Sequence, residues 1–476
     1  MEQRLTNHTN KKTQRIKYII FDVIAVLLAW ASFVIFRRIE IESNVFQEIQ
    51  LFSPIYNLEK LFISIPFFWL FIFWLSGYYN TPFLKSRLSE FAQTFLSTLI
   101  GSTILFFILL LNDPVANYHD YYLAFVVQFL IYFLVVYFFR YMITRKTTEK
   151  IHNRIIGFNT IIIGSGEKAQ QIYDQLQSMK QSSGNFIVGF ISYGESVSVD
   201  KNMVLGEMAQ LGDIIISKEI DEVIIAIDND DRNALLPMFD ILYSHDVTVK
   251  VTPQLYDYLI GGVRMSSIFG APLVSALDVR LSEFEKNVKR LFDIVFSCLV
   301  IVAISPLGIL LSIMVVLTSD GPVFYKQERV GLHGKRFNIL KFRTMVSDAE
   351  ASGPQLASKD DLRITGIGRF LRKFRIDELP QFINVLKGDM SIVGPRPERP
   401  FYEKQIAQKV PYYGIVHKVK PGITSWGMVK YGYATDVDKM VERLQYDIIY
   451  LENISLLVDL KILIYTVKTV VSGRGM

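Results

Sequence analysis

The chain has 476 residues, 50% of them hydrophobic and 13% aromatic, with a formal charge of +5 and a single cysteine, Cys298. Its length allows two or three domains, and its apolar content is high for a soluble protein, so a membrane protein with cytoplasmic soluble parts is the expected class. One cysteine excludes an intrachain disulfide, and so small a net charge gives no reason to expect nucleic acid as a partner; basic residues beside apolar segments more often face anionic headgroups.

The first apolar run is long, lacks a small-residue cleavage site and is followed by others like it, so it reads as a span and not as a secretory signal. Four spans are predicted, roughly Tyr18 to Phe36, Leu61 to Tyr79, Thr94 to Leu111 and Tyr121 to Ile143. Each is near the ~20 residues that cross ~30 Å of hydrocarbon. Tyr78, Tyr79, Tyr121 and Tyr122 at their ends suit the headgroup level. Basic residues crowd the N-terminal tail (Arg4, Lys11, Lys12, Arg15, Lys17), the second loop (Lys85, Arg87) and the stretch after the fourth span (Arg145, Lys146, Lys150, Arg154), whereas the third loop, NDPVANYHD, has none. Both ends of this bundle are therefore expected in the cytoplasm, although Arg37 and Arg38 in the first loop dilute the bias.

From about Phe158 the pattern changes to apolar runs bounded by turn residues: NTIIIGSGEKAQQIYDQL, NFIVGFIS, DEVIIAID and VTVKVTP, with helix-like stretches between. That alternation predicts a parallel α/β sheet. Gly164, Gly166 and Ala169 form a G-x-G-x-x-A turn between a strand and a helix, which gives the segment a Rossmann-like look. The acidic residue expected at the end of the second strand is missing, since that strand ends in Ser192, Tyr193 and Gly194. Nucleotide binding and a merely tight glycine turn both fit. The expected domains are 1–150, 151–275 and 285–476.

A fifth apolar run, roughly Ile294 to Leu317, is long enough to cross, but a crossing would carry everything after Ser319 out of the cytoplasm. Ser305-Pro306 lies at its middle, where proline removes a backbone donor and kinks a helix. Ser297 and Ser305 can hydrogen-bond freed carbonyls. Two readings stand: a re-entrant helix–break–helix that returns to the same side, and an ordinary Pro-kinked span.

Further on, FRIDELPQFINVLKGDMSIVGPRPERP sets Asp377 and Glu378 among Arg372, Lys373 and Arg375. The pair could cap a helix, bind a metal or act as a nucleophile. Asp before Glu, with Pro380 in the first turn of a helix running through Phe382 and Leu386, is a good helix N-terminal signature. Adjacent side chains on a helix diverge by about 100°, so one carboxylate can face a substrate while the other holds a cation.

KRLFDIVFSCLVIVAISPLGILL, DGPVFYKQERVGLHGKRFNILKFRTM and RITGIGRFLRKFRIDELPQFINVLKGDMSIVGPRP together closely resemble the catalytic domain of bacterial polyprenyl-phosphate glycosyl-1-phosphate transferases. These are the monotopic sugar transferases that start O-antigen, capsule and exopolysaccharide assembly. The resemblance covers about Lys289 to Met476, and the whole chain is similar to the large subclass represented by undecaprenyl-phosphate galactose or glucose phosphotransferases. It implies a four-helix transmembrane bundle, a Rossmann-like middle domain and an α/β monotopic catalytic domain, with a re-entrant hairpin over 289–318 broken at Ser305-Pro306. It places the chain in the bacterial inner membrane with its catalytic domain facing the cytoplasm, among membrane lipids and as a homodimer.

The resemblance further implies that Asp377 attacks the β-phosphorus of a UDP-sugar and expels UMP. Undecaprenyl phosphate then takes the phosphosugar, while Glu378, with Asp377 beside it, helps bind Mg²⁺. A helix N-terminus would keep Asp377 ionised. Arg372 matches the arginine expected to engage the lipid phosphate. Arg396 is fixed on both sides by Pro395 and Pro397 and suits nucleotide or phosphate binding. Lys341 and Arg343 alternate with apolar neighbours, as on a strand edge, and point two cations one way; they line the active site or anchor to headgroups. Gln327 and Arg329 belong to a matching motif without individual roles, and Asp389 reads as a turn residue in preference to a second ligand. VKPGITSWGMVKYG and the stretch from Tyr446 to Asp459 also match. An amphipathic helix near Leu456 to Val470 would lie on the bilayer or pack in the core. A membrane-bound nucleotide-sugar dehydratase or epimerase would need a Tyr-x-x-x-Lys couple, and the one present, Tyr56 with Lys60, lies on the wrong side; a non-catalytic scaffold or nucleotide sensor is the other alternative. Which sugar is carried is not legible.

Overall fold

Two compact units make up the computed structural model, Met1–Phe158 with Met179–Phe186, and Asn159–Ser178 with Ile187–Met476. The described residues are 7–42, 62–83, 87–110, 118–193, 198–228, 236–252, 273–276, 281–318, 320–346, 349, 353, 355–356, 361–432 and 434–471. Arg4, Tyr56, Lys60, Lys85 and most of the third loop lie outside them.

The first unit contains helices α1 (Asn7–Phe36), α2 (Ser64–Leu75), α3 (Arg87–Leu105) and α4 (Tyr118–His152). Among the described residues, four helical segments are long and apolar enough to cross a membrane: Lys11–Ile41, Arg87–Leu109, Tyr118–His152 and, in the second unit, Glu283–Thr318. The predicted second span differs from expectation. Its helix α2 has only 12 residues, about 18 Å at 1.5 Å per residue. Gly77, at φ 79°, then turns the chain so that Tyr78 and Tyr79 are buried in the bundle and not at its rim.

What those tyrosines meet is a polar core. Arg140 of α4 grips Asp22 of α1 through Nε at 2.9 Å and Nη2 at 2.8 Å, both side chains being essentially inaccessible. The guanidinium lies 3.5 Å from the Tyr78 ring centroid and 4.0 Å from that of Phe73. Tyr79 Oη donates to Asp22 Oδ2 at 2.7 Å, and Glu90 of α3 accepts from Tyr78 Oη and from Thr144 Oγ1. A buried charge in an apolar bundle is tolerable only when paired in this way. Around it pack Trp30, Phe33, Trp69 and Tyr132, with Gly101 so close beneath the Trp69 ring that a Cβ there would lie 2.4 Å from it.

In the second unit the expected parallel sheet is present, built from β1 (Phe158–Ile163), β2 (Asn185–Ser192), β3 (Val204–Glu207), β4 (Glu222–Ile225), β5 (Thr248–Val251) and β6 (Val274–Ala276). Its spatial order is β3-β2-β1-β4-β5-β6; β2 with β3, β1 with β4 and β4 with β5 pair in parallel, and β5 with β6 antiparallel. Helices α5 (Glu167–Ser178), α6 (Leu211–Ser217) and α7 (Leu236–Tyr243) connect the strands. Ile161, Ile162 and Ile163 of β1 and Val223, Ile224 and Ile225 of β4 are all buried, and burial on both faces is why these strands read as continuous apolar runs.

Helix α8 (Glu283–Thr318) follows, 36 residues long and continuous through Pro306. The expected interruption is healed locally. Pro306 has no N–H for the carbonyl of Val302, and Ser305 Oγ donates to that carbonyl at 2.9 Å. Ser297 does not share this role, since its hydroxyl has no hydrogen-bond partner among the described residues. Leu299, Val302, Ile309 and Leu310 leave the middle of α8 apolar and exposed.

The remaining elements are the hairpin β7 (Phe324–Val330) and β8 (Arg336–Phe342), α9 (Gly366–Lys373), α10 (Gln381–Lys387), β9 (Ser391–Val393), α11 (Pro400–Lys409), β10 (Gly422–Thr424), α12 (Trp426–Lys430), α13 (Val437–Glu452) and α14 (Leu456–Val471). Both ends of α8 are fastened to this group. Arg290 donates to the carbonyls of Val385 and Leu386 at the end of α10, a favourable place for a cation. Asp293 accepts from the N–H of Ile392, while Leu311 and Val315 pack with Phe342 and Leu371. Helix α14 packs Ile462 in the core and leaves Leu457, Leu460, Ile464 and Val467 exposed.

Arg140→Met should destabilise the membrane unit by about 3–5 kcal/mol, because it strands a buried carboxylate, whereas the double variant Asp22→Leu/Arg140→Met should recover much of that loss. Thermal unfolding of the detergent-solubilised full chain measures both.

Candidate active site

Thr365 caps α9 by accepting the N–H of Gly368 at 3.0 Å. The chain then reverses at Arg375, whose φ of 55° and ψ of 24° are left-handed, and makes one 3-10 turn over Ile376–Glu378. Asp377 and Glu378 are 8% and 5% exposed, and in such a turn neighbouring side chains diverge by about 120°. Pro380 precedes α10 and does not sit in its first turn, α10 has seven residues, and no side chain caps it. The expected helix cap is therefore not formed. The charge of the pair is governed by cations instead.

Glu378 Oε1 lies 3.1 Å from Lys341 Nζ and 3.2 Å from Arg396 Nη2. Burial alone would raise its pKa, but Lys341, Arg396 and Arg375 outweigh burial and hold it well below the usual carboxylate range. Asp377 goes the other way: burial, with the Glu378 charge beside it, pushes it up against the pull of Lys341, Arg372 and Arg396. Burial also lowers Lys341, with Glu378 opposing the shift, and takes Arg329 down to about 10.

Each cation has its own support. Lys341 lies on β8 opposite Tyr325 of β7, and β8 is pinned to α10 by Asn384, which accepts the N–H of Leu340 at 3.0 Å and donates to the carbonyl of Asn338 at 2.8 Å. Arg396 follows β9, which pairs in parallel with β10. The Pro395 carbonyl accepts the N–H of Gly422, and the Pro397 carbonyl accepts from Arg329 Nη1, both at 2.9 Å. Asp447 of α13 accepts the backbone N–H groups of Gly427 and Arg396, and Glu398 is held by Arg443 and Arg329.

A cavity of about 1130 Å³ opens here, lined by Lys341, Arg343, Arg372, Arg375, Asp377, Glu378 and Arg396, with Gln327 and Arg329. It is roomy enough for a nucleotide-sized ligand. Arg372 Nε also donates to Thr344 Oγ1 at 2.9 Å, and Arg343 Nη2 to the Val315 carbonyl at 3.4 Å. Pro395 and Pro397 do not line this cavity; they border a small pocket behind it. Ser305 and Pro306 lie in the middle of α8. Asp389 is in the turn after Gly388, at φ 95°, that ends α10. Among the described residues no three His, Cys, Asp or Glu gather as a metal cage. Two adjacent carboxylates do fit Mg²⁺, which is commonly held by one or two carboxylates and the phosphates of a substrate.

The bacterial sugar transferase family matches residues 284–473, and a CoA-binding domain family matches residues 75–253. A UDP-N-acetylgalactosamine-undecaprenyl-phosphate N-acetylgalactosaminephosphotransferase of Aeromonas hydrophila is 40% identical over 47% of this chain and 52% of its own. A UDP-glucose:undecaprenyl-phosphate glucose-1-phosphate transferase of Escherichia coli is 36% identical over 55% of this chain and 57% of its own. An undecaprenyl-phosphate galactose phosphotransferase of Salmonella typhimurium is 32% identical over 66% of this chain and 68% of its own. The chain belongs to the bacterial sugar transferase family. It spans little more than half the length of the first two relatives and about two thirds of the third.

The other family name raises the question of a phosphate ligand in the middle of this chain. Gly164, at φ 124°, lets the β1–α5 turn pass the Ala226 carbonyl, which a Cβ would approach to 2.1 Å. The first turn of α5 is already served: the Lys168 N–H donates to Asp228 Oδ1 at 2.8 Å. A carboxylate thus takes one of the N–H groups that a phosphate would use at that turn.

Sequence reasoning missed three supports of the transferase site: Asn384, Asp447 and the Glu398–Arg443 pair. The spacing of Arg443 and Asp447, one helical turn apart, was the available signal. Asn384→Ala should cost about 1–2 kcal/mol by removing two hydrogen bonds to the half-buried strand, at the N–H of Leu340 and the carbonyl of Asn338; denaturant unfolding followed by intrinsic fluorescence reads it.

Proposed function

We propose that the chain transfers a sugar 1-phosphate from a UDP-sugar to undecaprenyl phosphate, releasing UMP, through a covalent aspartyl phosphosugar. The observation that carries this is a buried carboxylate, Asp377, at the edge of a nucleotide-sized cavity lined by Lys341, Arg372, Arg375 and Arg396. Support also comes from relatives named for moving N-acetylgalactosamine, glucose or galactose phosphate with undecaprenyl phosphate. The reading commits to the reaction and not to the sugar.

In the first step a carboxylate oxygen of Asp377 attacks the β-phosphorus; the bond to UMP breaks and UMP leaves with the electron pair. In the second, a phosphate oxygen of undecaprenyl phosphate attacks the same phosphorus, and Asp377 departs as a carboxylate. One phosphoanhydride is exchanged for another, so no ATP is needed, and one nucleophile serves a donor from water and an acceptor from lipid in turn. Lys341 and Arg396, oriented by Glu378, hold the diphosphate, and Arg372 receives the acceptor phosphate; phosphoryl transfer depends mostly on such positioning and charge neutralisation. Mg²⁺, when held by Glu378 and Asp377 together with the diphosphate, would add further charge neutralisation.

The same reading has α8 enter and leave the inner membrane on one side, bending at Pro306 within one continuous helix, with the catalytic domain cytoplasmic and the chain a homodimer. It is supported by the fastening of both ends of α8 to one domain and by the apolar, exposed middle between them. The β3-β2-β1-β4-β5 strand order supports a Rossmann-like ancestry for the middle domain.

Asp377→Asn should lower UMP release by about three orders of magnitude or more and abolish labelling of the protein by a phosphosugar; an unchanged rate moves the nucleophile elsewhere. Asp377 must be ionised to attack, and its pKa is raised, so activity should be lost as pH falls through a value above the usual ~3.9. Lys341→Met removes a neighbouring cation and should move this acid limb of kcat/KM to higher pH, read from pH–rate profiles.

A further inference from the structure

We infer that the middle α/β domain positions the transferase site: helix α7 and the residues after it seat both arms that bring Lys341 and Arg396 to Glu378. This rests on the proposed function only for the meaning of the site, not for the contacts.

The first arm is the loop carrying Arg396. Behind it runs a 3-10 turn, Tyr413–Lys418, four residues before β10. Tyr413, Val416 and His417 share the walls of a small pocket with Pro395, Arg396 and Pro397. The turn leads through Pro421, whose carbonyl accepts the N–H of Ser391, to Gly422, whose N–H donates to the Pro395 carbonyl. On its other side the turn meets α7. Asp240 Oδ1 accepts the Gly414 N–H at 2.9 Å, and a Cβ at Gly414 would stand 2.7 Å from that oxygen and 3.1 Å from the Asp240 carbonyl. Lys418 Nζ lies 5.2 Å from the Tyr243 ring centroid.

The second arm is the β7–β8 hairpin, which carries Arg329 and Lys341. Its tip reaches the end of the same helix: His333 Nε2 is 3.6 Å from Asp246 Oδ1, and a Cβ at Gly334 would meet Ser244 at 3.3 Å. His333 holds a left-handed φ of 53° at this tip. One short segment, 236–246, thus touches the tip of the hairpin and the turn behind the Arg396 loop, and both arms place a cation on one oxygen, Glu378 Oε1.

Ordinary packing would not call for a carboxylate here. Burial raises the pKa of Asp240, with the Gly414 N–H opposing the shift, so ionising it between two domains is unfavourable unless that hydrogen bond is made. A contact of this kind fixes register more than it adds stability. The middle domain then acts on the site through contact with its neighbour. A shift of α7 would tilt both cations at once.

The test uses the full chain in lipid nanodiscs, with Asp240→Ala, Gly414→Ala and the conservative Asp240→Asn, whose amide oxygen can still accept from Gly414. Hydrogen exchange of the Arg396 and Gly422 amides should accelerate about tenfold in the first two variants, the scale of one lost hydrogen bond to a charged group. In Asp240→Asn it should stay near the wild-type rate. KM for the UDP-sugar should rise by a similar factor with kcat within about twofold, since the lost positioning affects donor binding uniformly. Faster exchange confined to 236–246 and 413–418, or a fall in kcat alone, would overturn the inference. Exchange is read whether or not the protein turns over, so a wild-type protein that releases no UMP would count against the proposed function and leave this result standing.

Discussion

Two carboxylates placed side by side and closed off from water repel each other and lose their hydration, and the catalytic domain is arranged around answering that. Glu378 is the point of balance. It stays ionised because a lysine from a hairpin and an arginine from a distant loop converge on one of its oxygens. Removing either cation would leave charge stranded in a closed site, which is costlier than never having buried the pair. The geometry of three separate stretches of chain is therefore tied to a single side chain.

Much of the surrounding architecture can be understood as what keeps those three stretches in place. Asn384 ties the strand of Lys341 to the short helix that follows the carboxylates. Asp447 and Arg443, on one face of α13, hold the backbone of Arg396 and the Glu398 side chain that follows it. The prolines around Arg396 act on the same problem from within the backbone: they fix its path while their carbonyls take hydrogen bonds from Gly422 and Arg329. In the membrane unit the answer to buried charge is different. There Asp22 and Arg140 neutralise each other, and tyrosine hydroxyls and rings satisfy what is left.

The sequence was most legible where a repeating pattern met a single environment. Continuous apolar strands gave the parallel sheet, long apolar runs gave three of the four expected spans, and the Asp-Glu pair among arginines marked the site. It was least legible where a residue's partner is far away in the chain. Nothing near Gly164 says that Asp228, sixty-odd residues on, will fill the turn, and nothing near Tyr79 points to Asp22. Apolar content could not tell that Gly77 would end a helix at 12 residues. Pro380 misled because a proline is equally at home just before a helix and in its first turn, and only the backbone distinguishes the two. Asn384 was invisible for another reason: it acts on main-chain groups, which carry no signature in the sequence.

The left-handed backbone at Arg375 sets a limit on how this enzyme can change. An L-residue with a side chain holds that conformation at a cost of about 1–2 kcal/mol, so it persists only while its neighbours leave the chain no easier course. Because it stands two residues before Asp377, any relaxation there would swing that carboxylate away from its cations. Substitutions that favour an extended backbone, β-branched ones above all, would therefore register as lost chemistry before they registered as lost fold, and the residue's charge is only half of what its position demands.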